Sequence, residues 1–98
     1  MLEKCTVVLT ATFKHNMRNS NEFAEYSKKS NQNGEDNGGV VLKKILVEEN
    51  LGTGTKPSFV LIIEYPSKIK AYETFTNETY QNLLDLRGSI FKEVNIYI

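Results

Sequence analysis

Five consecutive apolar side chains, Phe59-Val60-Leu61-Ile62-Ile63, run directly into Glu64-Tyr65-Pro66-Ser67, and no other stretch limits the fold so strongly. In an extended chain successive side chains point to opposite faces. Phe59, Leu61 and Ile63 therefore share one face, and Val60 and Ile62 the other. The run is far shorter than the roughly 20 apolar residues of a membrane helix, and Pro66 ends it. It reads as a strand that is apolar on both sides. An antiparallel sheet with one wet face alternates apolar and polar residues instead, so both faces of this strand need a cover. A chain of 98 residues has room for one core, and at that size further burial by self-association is a real gain.

The remaining elements follow from pattern. Cys5, Val7, Leu9, Ala11 and Phe13 alternate with Thr6, Val8, Thr10 and Thr12, which predicts a first strand. Asn19 followed by Glu22 resembles a capping box and predicts a helix start. Phe23, Ala24, Tyr26 and Ser27 are its expected buried stripe, with Asn33-Gly34 and Asn37-Gly38-Gly39 as its breakers. Residues 40–49 form a second strand, 50–54 turn the chain, and 58–65 form the third. Ser67 can cap a helix over 68–76, and Asn77 a second helical piece over 78–88. The last strand covers 92–98, with Val94, Ile96 and Ile98 on one face.

The order β-α-β-β-α-β predicts one α+β domain over residues 1–98: a ferredoxin-like sandwich with a four-stranded antiparallel sheet and helices on one face. Right-handed crossovers are expected to set the first and third strands side by side at the centre and parallel, with the other two at the edges. No element is left to cover the far side of the third strand. A second copy of the sheet is the economical cover, which predicts a homodimer through that face.

Composition removes several classes of function. Twelve basic residues balance twelve acidic ones, so there is no electrostatic pull toward nucleic acid or an anionic membrane. An RNA-recognition domain of the same topology needs stacking aromatics on its third strand, and Lys56-Pro57-Ser58-Phe59-Val60-Leu61-Ile62 lacks them. The single cysteine, Cys5, cannot make an intramolecular disulfide and reads as an inert thiol in a reducing compartment. The start Met1-Leu2-Glu3-Lys4 carries no apolar leader segment, so a cytoplasmic location is expected. One histidine, one cysteine and scattered carboxylates offer no metal site, and no cofactor motif is present.

Gly38-Gly39, Leu51-Gly52, Glu64-Tyr65-Pro66-Ser67, Ala71, Phe75, Tyr80-Gln81 and Arg87 together resemble a known pattern. From about Phe23 to Arg87 the chain is similar to the domain of unknown function 1330 family, within the dimeric α+β barrel superfamily. The resemblance implies a ferredoxin-like protomer whose sheets pack face to face in a homodimer. It implies no settled activity, since the wider superfamily includes cofactor-free monooxygenases, isomerases and stress-response proteins. Lys44 stands where the family usually has arginine, and Asn77-Glu78 where Ser-Pro is more typical.

A few residues could carry chemistry. His15, the only histidine, follows the first strand, and histidine is the residue type suited to acid–base work near neutrality. Glu64 closes an apolar strand, where a charge is costly unless paired. Parallel pairing would bring Glu64 and Tyr65 to the same sheet edge as Phe13, Lys14 and His15, as a catalytic acid–base pair or as a Lys14 ion pair. Ser67 opens a helix whose amides could hold an anion. Tyr80 and Arg87 share a helix face; they either grip a small ligand or dock the helix. Two functional readings stay open. One is a homodimer binding a small organic molecule between helices and sheet near His15, Glu64 and Tyr65, as a binding protein or a cofactor-independent enzyme. The other is a structural or regulatory interaction module without catalytic activity.

Overall fold

In the computed structural model, which describes residues 3–98, the alternating segment becomes β1 (Cys5–Phe13). Met1 and Leu2, part of the start read above as leader-free, lie outside the described residues. The helix after β1, α1 (Asn21–Asp36), is capped by Ser20 rather than Asn19, the Ser20 hydroxyl accepting from the Phe23 N–H at 3.1 Å. The helix does not break at Asn33-Gly34. Asn33 is buried there, and its amide donates to the Thr74 carbonyl at 2.8 Å. The stop comes at Asn37, followed by Gly38 at φ +80, where a Cβ would lie 2.7 Å from the Pro66 ring. Ala24 faces solvent, so the inward stripe is Phe23, Tyr26, Ser27, Ser30 and Asn33.

The edge strand β2 (Val40–Leu46) and β3 (Phe59–Tyr65) form the expected hairpin, with a register shift between Val41 and Lys43. Ser67 caps α2 (Lys68–Thr76), accepting from the Lys70 N–H at 3.2 Å. Asn77 ends α2 and caps α3 (Glu78–Gln81). The second helical piece is itself divided: Leu83 N–H bonds the Tyr80 carbonyl at 2.9 Å, and α4 (Leu84–Ile90) then leads straight into β4 (Phe91–Tyr97).

The sheet order is β2-β3-β1-β4 and every neighbouring pair is antiparallel. The first and third strands are central as expected, but they are not parallel. A crossover helix makes β1 and β2 run the same way, and the hairpin then reverses β3, which slots between them. Cys5 consequently faces Tyr65, Thr6 faces Glu64 and Ala11 faces Phe59.

Odd-numbered residues of β1 and β3 point to the helices, where Leu9, Ala11, Phe59, Tyr80, Ile90 and Phe91 form the main core. Phe13, Phe23 and Phe91 extend it through edge-on and tilted ring contacts, with Phe13 and Phe23 centroids 4.8 Å apart. Among the described residues no helix covers the other face. The molecule measures 43 × 31 × 17 Å, a slab of one sheet and one helical layer. Among the described residues no helix is long and apolar enough to cross a membrane.

Candidate functional site

A stripe of small side chains on α1, Ser27, Ser30 and Gly34, faces the sheet at positions where a helix usually presents large apolar residues. The space left is a cavity of about 570 Å³. Its floor is apolar, with Leu9, Ala11, Phe59, Leu61 and Ile63 from the two central strands. Phe23, Tyr26, Tyr65, Phe75 and Tyr80 wall it with aromatic rings, and Asn31, Glu35 and Lys44 stand at the exposed rim. The opening lies toward β2, all of whose residues are exposed. Tyr65 holds one wall because Gly39 lets its ring approach: a Cβ on Gly39 would lie 2.7 Å from Tyr65 Cε1.

Two buried hydroxyls meet among these walls. The Tyr26 and Tyr80 oxygens are 2.9 Å apart, joining α1 to α3. Arg87 lies behind the pair, one Nη1 donating to the Tyr80 oxygen at 3.3 Å and the guanidinium 5.7 Å from the Tyr80 ring centre. Arg87 makes no ion pair among the described residues. Burial, reinforced by Tyr80, pushes the ionisation of Tyr26 far above that of an ordinary phenol, and Arg87 only partly opposes this. Burial raises Tyr65 as well.

Of the residues singled out from sequence, Tyr65 and Tyr80 line the cavity, and Arg87 reaches it only through Tyr80. Ser67 is a helix cap. His15 and Glu64 do not meet, because antiparallel pairing sends them to opposite ends of β1. Glu64 sits beside Thr6, roughly 23 Å along β1 from Phe13 at about 3.3 Å per residue, and His15 lies in the turn beyond that end. Glu64 also points to the sheet face away from the helices and pairs with Lys4 at 3.4 Å, rather than with Lys14. His15 is exposed in the turn after β1, next to Asn16 at φ 61. The reading from sequence places Tyr26 and Ser27 in the helix stripe but outside the site, takes Gly34 as part of a break, and does not use Ser30. The spacing of Ser27, Ser30 and Gly34 on one helix face was the available signal.

Solved structures share this fold at low identity. A protein of unknown function from Rhodopseudomonas palustris aligns over 95% of this chain and 78% of its own, with TM-score 0.77 and 18% identity. SnoaB from Streptomyces nogalater, a cofactor-independent oxygenase, aligns over 98% of this chain and 92% of its own, with TM-score 0.64 and 12% identity. A dimeric protein of unknown function and ferredoxin-like fold from Bacteroides fragilis aligns over 95% and 91%, with TM-score 0.52 and 9% identity. No curated protein matches the chain significantly. The sequence of residues 11–98 matches the family described as a domain of unknown function, DUF1330, and the chain belongs to that family.

Proposed function

We propose that this protein binds a small, mostly apolar organic molecule between α1 and the sheet, and does so as a cytoplasmic homodimer joined through the outer sheet face. The observation that carries the reading is the 570 Å³ cavity, which falls within the roughly 300–1,000 Å³ of small-molecule sites and has their make-up of apolar walls with a few polar groups. A module built only for interaction has no need of such a space, since an unfilled apolar cavity costs stability. The likeness to SnoaB supports cofactor-independent enzymes as one form this binding takes, by fold alone. The dimeric Bacteroides fragilis neighbour and the uncovered apolar face of β3 support the assembly.

The test uses a neutral fluorescent naphthalene, N-phenyl-1-naphthylamine, with the wild-type protein and with Ser30→Phe, which puts a ring into the cavity from its α1 wall. Saturable binding of one dye per chain, lost in the folded variant, is the expected result. Absence of saturable binding to the wild type, or equal binding to both proteins, would return the chain to the interaction-module reading.

A further inference from the structure

The pair of buried tyrosines contains one more proton than it uses. Each phenol carries one O–H and can also accept, and the 2.9 Å contact between Tyr26 and Tyr80 consumes a single proton. Arg87 already donates to the Tyr80 oxygen at 3.3 Å. If each oxygen accepts one bond, Tyr80 donates to Tyr26, and the Tyr26 proton is left over. Tyr26 lines the cavity. Because the chain of donors begins at a cation without a carboxylate partner among the described residues, each bond polarises the next in the same direction.

We propose that Arg87, Tyr80 and Tyr26 form a one-way donor relay whose last proton binds a single acceptor oxygen of the ligand, and that this ligand is an apolar ketone. The inference rests on the cavity being a binding site, and adds the chemistry recognised there. One directed proton suits one carbonyl oxygen. A carboxylate has two oxygens and a full charge to desolvate, so it needs direct and preferably bidentate contact with a guanidinium. Arg87 is not among the lining residues and is separated from the cavity by Tyr80, and Lys44 at the exposed rim offers a point charge rather than a guanidinium fork. The sheet floor and the aromatic walls are rings and aliphatic chains, which match a hydrocarbon body. Burial keeps Tyr26 protonated, so it stays a donor. Tyr80 and Arg87 act through Tyr26 and are positioning residues.

The probes are 2-acetylnaphthalene and its hydrocarbon counterpart of similar shape, 2-isopropylnaphthalene, measured by equilibrium dialysis, with the carbonyl stretch of the bound ketone read by infrared difference spectroscopy. In the wild type the carbonyl band is expected below its position in hexane. Tyr26→Phe, which keeps the ring and its packing, should return the band to the hexane position. It should also weaken the ketone about tenfold while leaving the hydrocarbon unchanged, the loss of one sound hydrogen bond. Arg87→Met should leave the band between those two positions, a readout that loss of helix docking alone would not move. A wild-type band at the hexane position, a band unmoved by Tyr26→Phe, or equal weakening of both probes would overturn the relay. Binding of the hydrocarbon alone overturns the relay and leaves the cavity reading intact, whereas failure of both probes to bind overturns both.

Discussion

Gly39 shows how much depends on one absent side chain. A methyl there would meet the Tyr65 ring at 2.7 Å and the Gly34 carbonyl at 3.0 Å, and Tyr65 is almost wholly buried. Neither neighbour can yield freely, since one is backbone and the other a packed ring. Gly39→Ala is expected to cost about 1–3 kcal/mol, read by urea unfolding. Gly54→Ala, where the nearest atom would be 3.9 Å away, is expected to stay within about 0.5 kcal/mol. Tyr26 gives the protein a specific alkaline weakness. Its pKa is raised on folding, chiefly by burial, so it contributes stability that is fully present below the ordinary phenol value of 10.0 and lost as pH rises beyond it. Unfolding free energy measured from pH 8 upward should fall above about pH 10, and Tyr26→Phe should make that fall shallower, leaving the part due to buried Tyr65. An equally steep fall in the variant would show that other groups govern alkaline stability.

At the scale of elements, α1 is fastened to the chain segment that follows β3 by a buried amide. Asn33 donates to the Thr74 carbonyl at 2.8 Å and accepts from the Asn77 side chain at 2.8 Å, at the junction of α2 and α3. Asn33→Ala strands both partners, so a loss of about 1–3 kcal/mol is expected. Thermal unfolding of the variant checks it, and a change near zero would mean that water replaces the amide. This residue also shows why part of the fold was legible in the sequence and part was not. Strand alternation, the Ser67 and Asn77 caps and the βαββαβ order are local patterns, and each reappears in the structure. Asn33-Gly34 looked like a break because asparagine and glycine disfavour helix locally, while the opposing tertiary bonds are made to residues about 40 positions away. The strand-direction error was different in kind. A correct rule about crossovers was applied to β1 and β3 when it governs β1 and β2, and it carried Glu64 to the wrong end of the sheet. Tyr80 and Arg87 were legible as neighbours, since residues seven apart nearly eclipse on a helix, although the structure divides that helix and puts them on α3 and α4. Tyr26 was not legible as their partner, because nothing local links α1 to α3.

At the scale of the whole molecule, the uncovered sheet face carries the proposed assembly. Register makes its apolar residues contiguous: Val8 lies between Ile62 and Tyr97, and Val60 beside Ile45. Lys43, Glu93 and Asn95 flank them, so an apolar centre has a polar border, the composition of a protein interface. A slab face bounded by 43 and 31 Å is large enough for the roughly 800 Å² that each partner buries in a standard interface. Light scattering coupled to size exclusion is expected to report twice the 11.2 kDa chain mass. Ile62→Asp should yield a folded monomer, since a partner sheet would desolvate the charge, at a cost greater than the single ion pair open to it with Lys43, its register neighbour on β2. Ile69→Asp is the matched control. Ile69 is 63% exposed on α2, in the helical layer, and a charge there should leave the mass unchanged. A wild-type monomer at micromolar concentration would sink the dimer. A dimer that survives Ile62→Asp but dissociates with Ile69→Asp would move the interface to the helical layer, and the outer face of β3 would then need a different partner.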